Sequence, residues 1–362
     1  MLALRELRSQ VRNVRLVRGL WSPAQLLRAL PMPYHWYVKK DGRAPPPMAI
    51  AQYVTYACPE KCSFCNVTHS VEAWHEHLDA DTQARLIERL VPTIPTVAIG
   101  GGEPMVYPGI TEHIAHIKRR GGRVYVVTSA TSLGPGKAAR LAKAAPDVVT
   151  FSLLGDEATH DATMGRPGAW QRTIGGIENL LTRRDPAKTR VVINCAVSFD
   201  NAHDLHAVAG LGRRLGVDAV RFTWLSFLTE TERAREQHDV TYLVVPDDRL
   251  ASFDAARLLQ DVADIERRYG DFVTFLPRLD DAERARWFVQ GGGVERRCFT
   301  LWHTLFLRPD ASVVPCGHLF EEPTGNALEQ PLEDYWNSDR MRGVRKAQWA
   351  GPFEVCRRCC KV

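Results

Sequence analysis

The stretch MAIAQYVTYACPEKCSFC, residues 48–65, decides the fold. Its first nine residues, 48–56, are mostly apolar, β-branched or aromatic, and this composition predicts a strand. Cys58, Cys62 and Cys65 follow at once with C-x3-C-x2-C spacing. Because α/β folds place their chemistry on loops at the carboxyl ends of parallel strands, we expect these thiols to lie at a functional site.

Three cysteines on one short loop favour an iron–sulfur cluster over other cysteine sites. A cubane 4Fe–4S cluster normally takes four cysteine ligands, so three leave one iron open to a small chelating molecule. Zinc sites usually pair two C-x2-C knuckles, or a knuckle with histidines, and no such partner lies near this loop in the sequence. Disulfide frameworks suit small secreted domains rather than a chain of 362 residues without a secretion signal.

Length and composition are typical of a globular α/β protein without a membrane span. The 362 residues are 45% hydrophobic, and no apolar run is long enough for a transmembrane helix. We therefore expect a cytoplasmic protein whose nine cysteines are metal ligands before they are disulfides. The net charge of +5 comes from residues 1–43, where nine Lys and Arg face two acidic residues, so the rest of the chain indicates no nucleic-acid partner.

Residues 1–47 predict a helical N-terminal extension. Apolar residues recur at three- and four-residue spacing over residues 2–21, with arginines on an adjacent face. Ser22 and Pro23 give the start of a second, short helix, and a proline-rich connection leads into the core. The basic helix is either an anchor at a membrane surface or anionic partner, or a helix packed on the outside of the main domain.

Strand and helix patterns alternate along residues 48–224, which predicts a parallel α/β sheet with right-handed crossovers. The predicted strands are 48–56, 96–100, 123–128, 147–153, 190–198 and 218–224. The predicted helices are 80–91, 109–120, 135–144, 168–183 and 202–215. Six strands suggest a partial (β/α)6 barrel. The later patterns predict a long helix over 248–269, a short strand over 272–276 and a helix over 280–289.

A glycine-rich turn, Gly100-Gly101-Gly102-Glu103-Pro104, ends the second predicted strand. Glycines allow the backbone to approach a ligand closely. The turn does not match a phosphate-binding loop, because no Lys-Ser or Lys-Thr follows and the G-x-G-x-x-G spacing is absent. A plain tight turn is the remaining alternative.

Together, the cysteine loop and this turn resemble the radical SAM superfamily, and Phe64 just before the third cysteine strengthens the match. The resemblance implies that S-adenosylmethionine chelates the open iron through its amino and carboxylate groups. It implies that the reduced cluster cleaves this cofactor to a 5′-deoxyadenosyl radical, which takes a hydrogen atom from the substrate. Glu103 would bind the methionine ammonium, with Gly101 and Gly102 beside it. An electron donor such as flavodoxin or ferredoxin is the implied partner.

Further cofactor contacts carry over from the family by position. They are Phe64 at the adenine, and Ser129, Ser152, Arg166, Asn194 and Trp224. Two positions depart from the family pattern. Ser129 stands where relatives often have asparagine in Thr-Asn-Gly, and Leu154 replaces the aspartate of a Ser-Leu-Asp element. The alternative at these positions is ordinary strand packing or, for Arg166, a solvated loop arginine.

Two residues are candidates for a catalytic role. Arg166 could face the cofactor or the substrate. Cys195 follows Asn194, so the two should face opposite sides of a strand, and a lone buried cysteine is usually a small core residue. If Cys195 instead lined the cavity, it could donate a hydrogen atom to a substrate radical, as cysteines do in some radical epimerases. The candidates for a general base are Arg166, His69, His303 and His318.

A second group of cysteines lies near the C-terminus. Cys298, Cys316, Cys356 and Cys359 form a four-thiolate set, with Cys360 as an alternative to Cys359. Both structural zinc and a fully ligated 4Fe–4S cluster satisfy this set. The segment resembles the twitch or shortened SPASM domain of radical SAM enzymes, which implies one auxiliary 4Fe–4S cluster. The predicted domains are the extension over 1–47, the partial barrel over 48–277 and the auxiliary domain over 278–362.

The resemblance favours an oxidoreductase or isomerase that oxidises or epimerises a carbinol carbon of a small polar molecule. Relatives with a twitch domain include a dehydrogenase of an aminocyclitol alcohol and the first enzyme of molybdopterin synthesis. Two alternatives stay open. Many SPASM relatives modify ribosomal peptides, often through an N-terminal recognition domain longer than the 47 residues that precede the core here. The basic helix over 2–21 suggests a lipid-modifying enzyme with peripheral membrane contact.

Overall fold

The structure is a computed structural model that describes residues 27, 30–65, 77–238, 243–320 and 323–360. The basic helix expected over residues 2–21 and the candidate base His69 lie outside the described residues. Within them, no helix combines the length and the apolar character that crossing a membrane requires.

One sheet organises the described residues, and its strands follow the predicted order. The strands are β1 (Ala49–Thr55), β2 (Thr96–Gly101), β3 (Arg123–Thr128), β4 (Val148–Ser152), β5 (Arg190–Val197), β6 (Ala219–Trp224), β7 (Leu228–Thr229), β8 (Val244–Val245), β9 (Val273–Leu276), β10 (Thr304–Leu307), β11 (Ser312–Val314) and β12 (Gly325–Asn326). The order in the large sheet is β12-β11-β10-β1-β2-β3-β4-β5-β6-β9, while β7 and β8 pair separately.

From β10 through β1–β6 to β9 all neighbouring strands are parallel. This is the predicted partial (β/α)6 barrel, extended by one parallel strand at each edge. The hairpin β10–β11 and the pairing β11–β12 are antiparallel. Because Ala49 pairs with Thr304, the sheet runs continuously across the predicted boundary at residues 277 and 278.

The helices that cover the sheet also match the prediction closely. They are α1 (Ala80–Leu90), α2 (Ile110–Arg119), α3 (Pro135–Ala144), α4 (Glu157–Met164), α5 (Ala169–Leu181), α6 (Leu205–Leu215), α7 (Glu230–Arg235), α8 (Asp247–Ala251), α9 (Ala255–Tyr269), α10 (Asp281–Trp287), α11 (Leu332–Trp336) and α12 (Asp339–Ala350). The sequence patterns predict no helix at α4. The helix predicted over 248–269 is divided in two, because the Asp254 carboxylate caps α9 by accepting the N–H of Arg257.

Side chains alternate along each strand, and this divides the sheet into an outer and an inner face. On β6, Val220 and Phe222 are fully buried, whereas Arg221 and Thr223 are only partly buried. Val220 lies under α6, where Gly212 permits close packing: a Cβ at Gly212 would come within 2.5 Å of the Val220 side chain. The outer face therefore packs against the helices. Arg221 and Thr223 face the concave interior of β1–β6, which we call the lumen.

The connection into the core is attached to the C-terminal domain rather than to the barrel helices. The indole N–H of Trp336 donates to the carbonyl oxygen of Pro45 at 2.7 Å. The buried guanidinium of Arg345 donates to the carbonyl oxygen of Gly42 at 3.1 Å. Upstream, Trp36 is buried against Trp302, with ring centroids 4.9 Å apart. Residues 36–45 thus belong physically to the C-terminal domain.

Candidate active site and auxiliary cysteine cavity

The three-cysteine loop begins directly after β1 and is attached to the end of α4. The backbone N–H of Lys61 donates to the carbonyl oxygen of Met164 at 3.0 Å. Gly165 ends α4 with φ 62°, and a Cβ there would lie 2.8 Å from the carbonyl oxygen of Lys61. Glycine at position 165 therefore lets the cysteine loop lie against this helix end.

The cysteines of this loop are well placed for a metal site. Cys58, Cys62 and Cys65 are partly buried free thiols. Burial, and then the neighbouring Cys65, raise the pKa of Cys62 to about 12, and burial likewise raises the pKa of Cys58. Such thiols ionise only beside a strong positive charge, which bound iron supplies because a coordinating thiol is deprotonated outright.

Gly101 and Gly102 pack the end of β2 directly against the start of the cysteine loop. Gly101 has φ 124°, and a Cβ there would lie 2.3 Å from the carbonyl oxygen of Thr55. A Cβ at Gly102 would lie 2.4 Å from the carbonyl oxygen of Ala57, which accepts the N–H of Glu103 at 2.9 Å. The glycines are thus required by the packing of two loops, and this packing places Glu103 next to the cysteines.

Glu103 is a buried carboxylate, 1% exposed, whose acceptor positions are all used. Its Oε1 accepts the hydroxyl of Thr128 at 2.6 Å and the backbone N–H of Met105 at 2.8 Å. Its Oε2 accepts both the N–H and the hydroxyl of Ser129, at 2.6 and 2.7 Å. Burial raises the pKa of Glu103, and these four hydrogen bonds oppose that rise. The carboxylate is therefore held in one orientation.

Ser129 owes its position to a buried chain of hydrogen bonds between two strand ends. The hydroxyl of Thr173 donates to the carbonyl oxygen of Ser129 at 2.8 Å, and Nε2 of His160 lies 3.3 Å from that hydroxyl. Nδ1 of His160 accepts the N–H of Leu154 at 3.0 Å. Burial lowers the pKa of His160 to about 4, so its ring is neutral near pH 7 with the proton on Nε2.

A second buried carboxylate, Glu60, lies inside the cysteine motif itself. It is 2% exposed, and its Oε1 forms an ion pair with Arg166 at 3.2 Å and accepts the hydroxyl of Thr131. Its Oε2 lies 3.3 Å from the sulfur of Cys58 and 3.4 Å from the hydroxyl of Ser129. Glu60 and Glu103 thus share Ser129 as a donor, and both face the region beside Cys58.

Sequence reasoning did not identify Glu60 as a functional residue. The position of Glu60 between two ligand cysteines is the feature of the sequence that could have indicated a role at the site. Arg166, a candidate for cofactor contact or catalysis on the sequence, is placed at the site by its pair with Glu60. Its side chain stays 37% exposed, so the guanidinium reaches from the buried carboxylate toward solvent.

The candidate contacts on β4 and β5 lie at the lumen. Ser152 and Asn194 are partly buried and alternate with fully buried neighbours, which places them on the inner face. The Thr223 hydroxyl donates to the Asn194 side-chain oxygen at 2.7 Å. Phe64 is partly buried and packs against the small apolar cluster of Leu154, Met164 and Ala169.

Cys195 and Trp224 lie on the outer face. Cys195 is 0% exposed in the hydrophobic core, with its sulfur 3.6 Å from the side-chain nitrogen of Asn201. Trp224 is 1% exposed and packs on Phe275, with ring centroids 5.4 Å apart. The core packing that was the alternative for both residues fits these positions. Neither side chain lines the lumen, so the position of Cys195 gives no support to a hydrogen-atom donor.

The four C-terminal cysteines line one cavity. Cys298, Cys316, Cys356 and Cys359 surround it, together with the candidate base His318. The other candidate base, His303, is partly buried just before β10, and desolvation lowers its pKa to about 4. Among the described residues, no three His, Cys, Asp or Glu side chains converge as ligands of a single metal ion. Four thiols around one cavity are a ligand set that fits a fully ligated 4Fe–4S cluster.

The terminal cysteine knuckle is anchored to the barrel by a buried ion pair. Arg358, between Cys356 and Cys359, lies 2.5 Å from the Glu232 carboxylate, and both side chains are 1% exposed. The guanidinium also donates to the carbonyl oxygen of Trp287 at 2.6 Å. Glu232 lies in α7, and its capping bond to Thr229 and its ion pair with Arg358 hold its side chain in the interior.

Comparison with protein families agrees with both cysteine sites. The model of the radical SAM superfamily matches residues 53–209, and that of the iron–sulfur cluster-binding SPASM domain matches residues 298–360. The chain belongs to the radical SAM superfamily. It is an enzyme of this class with a C-terminal auxiliary-cluster domain, as the resemblance of the two motifs implied.

Relatives of this radical SAM enzyme have different named activities. The AdoMet-dependent heme synthase of Methanosarcina barkeri is 27% identical over 308 residues, which cover 83% of this chain and 85% of that protein. The PqqA peptide cyclase of Xanthomonas oryzae pv. oryzae is 25% identical over 339 residues, covering 88% and 81%. SuiB of Streptococcus suis, bound to its precursor peptide SuiA, superposes with a TM-score of 0.63 at 17% identity, over 89% of this chain and 73% of that one. The last likeness shows the fold.

The cofactors of this class are a 4Fe–4S cluster with S-adenosylmethionine, and auxiliary iron–sulfur chemistry in the SPASM domain. The residues present fit them. Cys58, Cys62 and Cys65 would hold the first cluster, and Glu103 would face the ammonium of the bound cofactor. The Ser129 hydroxyl is the donor that can turn away from Glu103, since it also lies 3.2 Å from the Thr131 hydroxyl. That rotation frees an acceptor position for an ammonium group.

We predict that Glu60→Gln raises the reduction potential of the cluster at the three-cysteine loop without loss of iron. The substitution removes a negative charge that lies 3.3 Å from the Cys58 sulfur. Charge and hydrogen bonding around the sulfurs set cluster potentials. One charge at this distance, partly screened, changes a one-electron potential by roughly 40 mV or more. A redox titration followed by electron paramagnetic resonance measures the shift.

The matched control is Glu88→Gln, which removes an exposed carboxylate on the outer helix α1. This control should leave both the potential and the iron content unchanged. Equal potentials for the wild-type protein and Glu60→Gln would show that the Glu60 charge does not act on the cluster.

Proposed function

We propose that this enzyme modifies a peptide by taking a hydrogen atom from a side chain that is bound in the lumen. When bound, the cluster and S-adenosylmethionine supply a 5′-deoxyadenosyl radical for that step. The PqqA peptide cyclase relative supports a peptide substrate, because its likeness extends through both the barrel and the C-terminal domain.

The observation that carries this proposal is the open inner face of the barrel. Val127 lies in the central strand β3, yet its side chain is 46% exposed. Parallel strands are normally covered on both faces. The exposure of Val127 therefore means that the lumen has room for an extended ligand. An aromatic wall borders this space: the rings of Tyr53 and Phe320 stack with centroids 5.4 Å apart, and Tyr56 lies beside them. Aromatic and apolar walls with a few polar groups are typical of ligand sites.

The chain's own residues would orient the reacting groups. Glu103, held by Thr128 and Ser129, fixes one end of the cofactor site at the top of the barrel. Below it, the hydrogen-bonded pair of Asn194 and Thr223 provides polar contacts on the lumen wall. Positioning of this kind lowers the barrier by removing the need to align reactants in solution.

A second candidate is the oxidation or epimerisation of a carbinol carbon in a small polar molecule, as the sequence resemblance favoured. Likeness to AdoMet-dependent heme synthases supports a substrate that is not a peptide. The lipid-modifying alternative depends on the basic helix over residues 2–21, which lies outside the described residues.

The test is anaerobic turnover with reconstituted enzyme, S-adenosylmethionine and a strong reductant. Formation of 5′-deoxyadenosine is scored with peptides, with aminocyclitols and sugars, with a porphyrin tetracarboxylate and with lipid vesicles. We expect peptides to stimulate it at least tenfold, with deuterium transfer from a labelled peptide into 5′-deoxyadenosine. Stimulation by the small molecules alone would favour the second candidate, and stimulation by vesicles alone would contradict both. Cys62→Ala is the inactive control.

A further inference from the structure

The lower part of the lumen carries three arginines. Arg123 on β3, Arg190 on β5 and Arg221 on β6 occupy inner positions of their strands, as the alternation of buried and less buried residues shows. Arg123 and Arg190 are the first residues of their strands and Arg221 is the third residue of β6, whereas the cysteine loop and Glu103 follow the carboxyl ends of β1 and β2. We call this group the lumen arginines.

None of the three guanidinium groups has a hydrogen bond or ion pair with a described residue, and one nitrogen of Arg123 is fully buried without a partner. Two enclosed arginines elsewhere in the described residues have carboxylate partners. Arg184, beside the start of β5, lies against Asp218, and Arg358 pairs with Glu232. Arg123 and Arg221 are partly buried, and Arg190 is exposed at the start of β5. Burying an unpaired cation costs free energy, so two such arginines on one inner face indicate a place where an anion binds.

Arg190 acts electrostatically on Arg221, and Arg123 and Arg190 act on a shared neighbour, Tyr125. Burial, and then the Arg190 charge, lower the pKa of Arg221. Burial and the charge of Asp147 raise the pKa of Tyr125, and the charges of Arg123 and Arg190 lower it. Arg190 thus lies within electrostatic reach of Arg221, and Tyr125 lies within reach of Arg123 and Arg190.

Asp147 is the acidic group that acts on Tyr125, and its carboxylate already has partners. Its carboxylate lies 2.7 Å from the ammonium of Lys118 and accepts the N–H of Val124 at 2.7 Å. Lys118 balances this charge, and among the described residues no ion pair joins Asp147 to the lumen arginines.

Strand register links these arginines to the upper part of the lumen. Ser152 pairs with Asn194, Asn194 with Arg221, and Arg221 with Thr274. Each strand is about 4.8 Å from the next, so Arg221 lies about 10 Å across the sheet from Ser152. A row of four polar side chains therefore crosses the inner face of a sheet where parallel strands usually carry apolar ones.

We propose that the lumen arginines bind a carboxylate of the substrate and hold it below the cofactor site. Guanidinium groups bind carboxylates through paired N–H donors, and Arg221 keeps accessible nitrogens for this. The carboxylate would belong to an acidic residue of a peptide or to an acidic small molecule. This inference rests on the proposed function for the choice of a peptide, but the carboxylate itself does not depend on it.

The test measures binding, so it can succeed or fail without turnover. The probes are glutarate, its dimethyl ester as an uncharged twin, and the acetylated amides of glutamate and glutamine, added to the holoenzyme with S-adenosylmethionine. We expect glutarate and the glutamate derivative to bind, and their uncharged twins not to bind. Arg221→Gln should weaken this binding at least tenfold, whereas Arg257→Gln on the outside of α9, 71% exposed, should not.

The thermal midpoint of the ligand-free holoenzyme shows whether a loss of binding is caused by misfolding. Because unpaired cations repel each other, Arg221→Gln should raise the thermal midpoint of the ligand-free holoenzyme, whereas a structural arginine would lower it. Affinity for S-adenosylmethionine should stay within twofold of wild type. Loss of cofactor affinity in Arg221→Gln, equal binding of the uncharged twins, or unchanged glutarate binding would each overturn the proposal.

A porphyrin tetracarboxylate separates the two sources of the carboxylate. Binding of the glutamate derivative but not of the porphyrin would assign the site to a peptide, and the reverse would assign it to a small molecule. If peptides fail to stimulate turnover while carboxylate binding still requires Arg221, the peptide proposal falls and this inference stands.

Discussion

Replacing Glu103 by glutamine should weaken binding of S-adenosylmethionine by roughly 30-fold or more. Removing one partner of a buried, hydrogen-bonded charge pair costs about 2–5 kcal/mol, and each 1.4 kcal/mol is tenfold in affinity. Formation of 5′-deoxyadenosine at subsaturating cofactor should fall by the same factor. The cysteine ligands are untouched, so the iron content should stay as in the wild type.

The physical reason is that this site accepts a carboxylate and rejects its amide. Oε1 faces the backbone N–H of Met105, and Oε2 faces the backbone N–H of Ser129. Either orientation of a glutamine therefore points its NH2 group at a backbone N–H. One buried donor is left unsatisfied, which costs about 1–3 kcal/mol of folding stability in addition to the lost charge.

Calorimetric titration of the cofactor and the thermal midpoint together test this prediction. Ser129→Ala is the matched comparison, because it removes one hydroxyl donor but keeps the carboxylate and the backbone N–H. It should reduce affinity less than Glu103→Gln does. Wild-type cofactor affinity in Glu103→Gln would mean that the carboxylate holds only the loops together.

The sequence predicted what depends on local spacing. The strands β1–β6 and their covering helices follow from short apolar runs and helical periodicity, and the cysteine sets follow from ligand spacing. The face of the sheet on which a strand residue lies was also predictable in part. Cys195 and Asn194 occupy opposite faces of β5, as alternation requires.

What the sequence did not reveal depends on contacts between distant residues. Glu60 meets Arg166 across 106 positions, and Glu232 meets Arg358 across 126. No local pattern distinguishes these charges from solvated ones, since only the closed fold brings the partners together. Trp224 is similar: its residue type suited a cofactor contact, but the strand turns it outward onto Phe275.

Replacing Cys359 by alanine should remove the auxiliary cluster, whereas replacing the adjacent Cys360 should not. Cys359 is 5% exposed and lines the cavity with the three other cysteines. Cys360 is partly exposed and does not line that cavity, and its N–H donates to the Ser226 hydroxyl at 3.1 Å. A hydrogen bond with Cys360, and then burial, raise the pKa of Cys359, so Cys359 depends on bound iron to ionise.

With two 4Fe–4S clusters, the wild type should hold about eight irons per chain, and Cys359→Ala about four. The thermal midpoint should fall with it, because binding energy at a metal site adds to folding stability. Iron and sulfide analysis with Mössbauer spectroscopy checks both variants. Since Cys360 differs from Cys359 by one position and shares its chemistry, it is the strictest control that the chain offers. About eight irons in Cys359→Ala and about four in Cys360→Ala would instead assign the fourth ligand to Cys360. The backbone after Arg358 would then have to change conformation so that the Cys360 side chain enters the cavity.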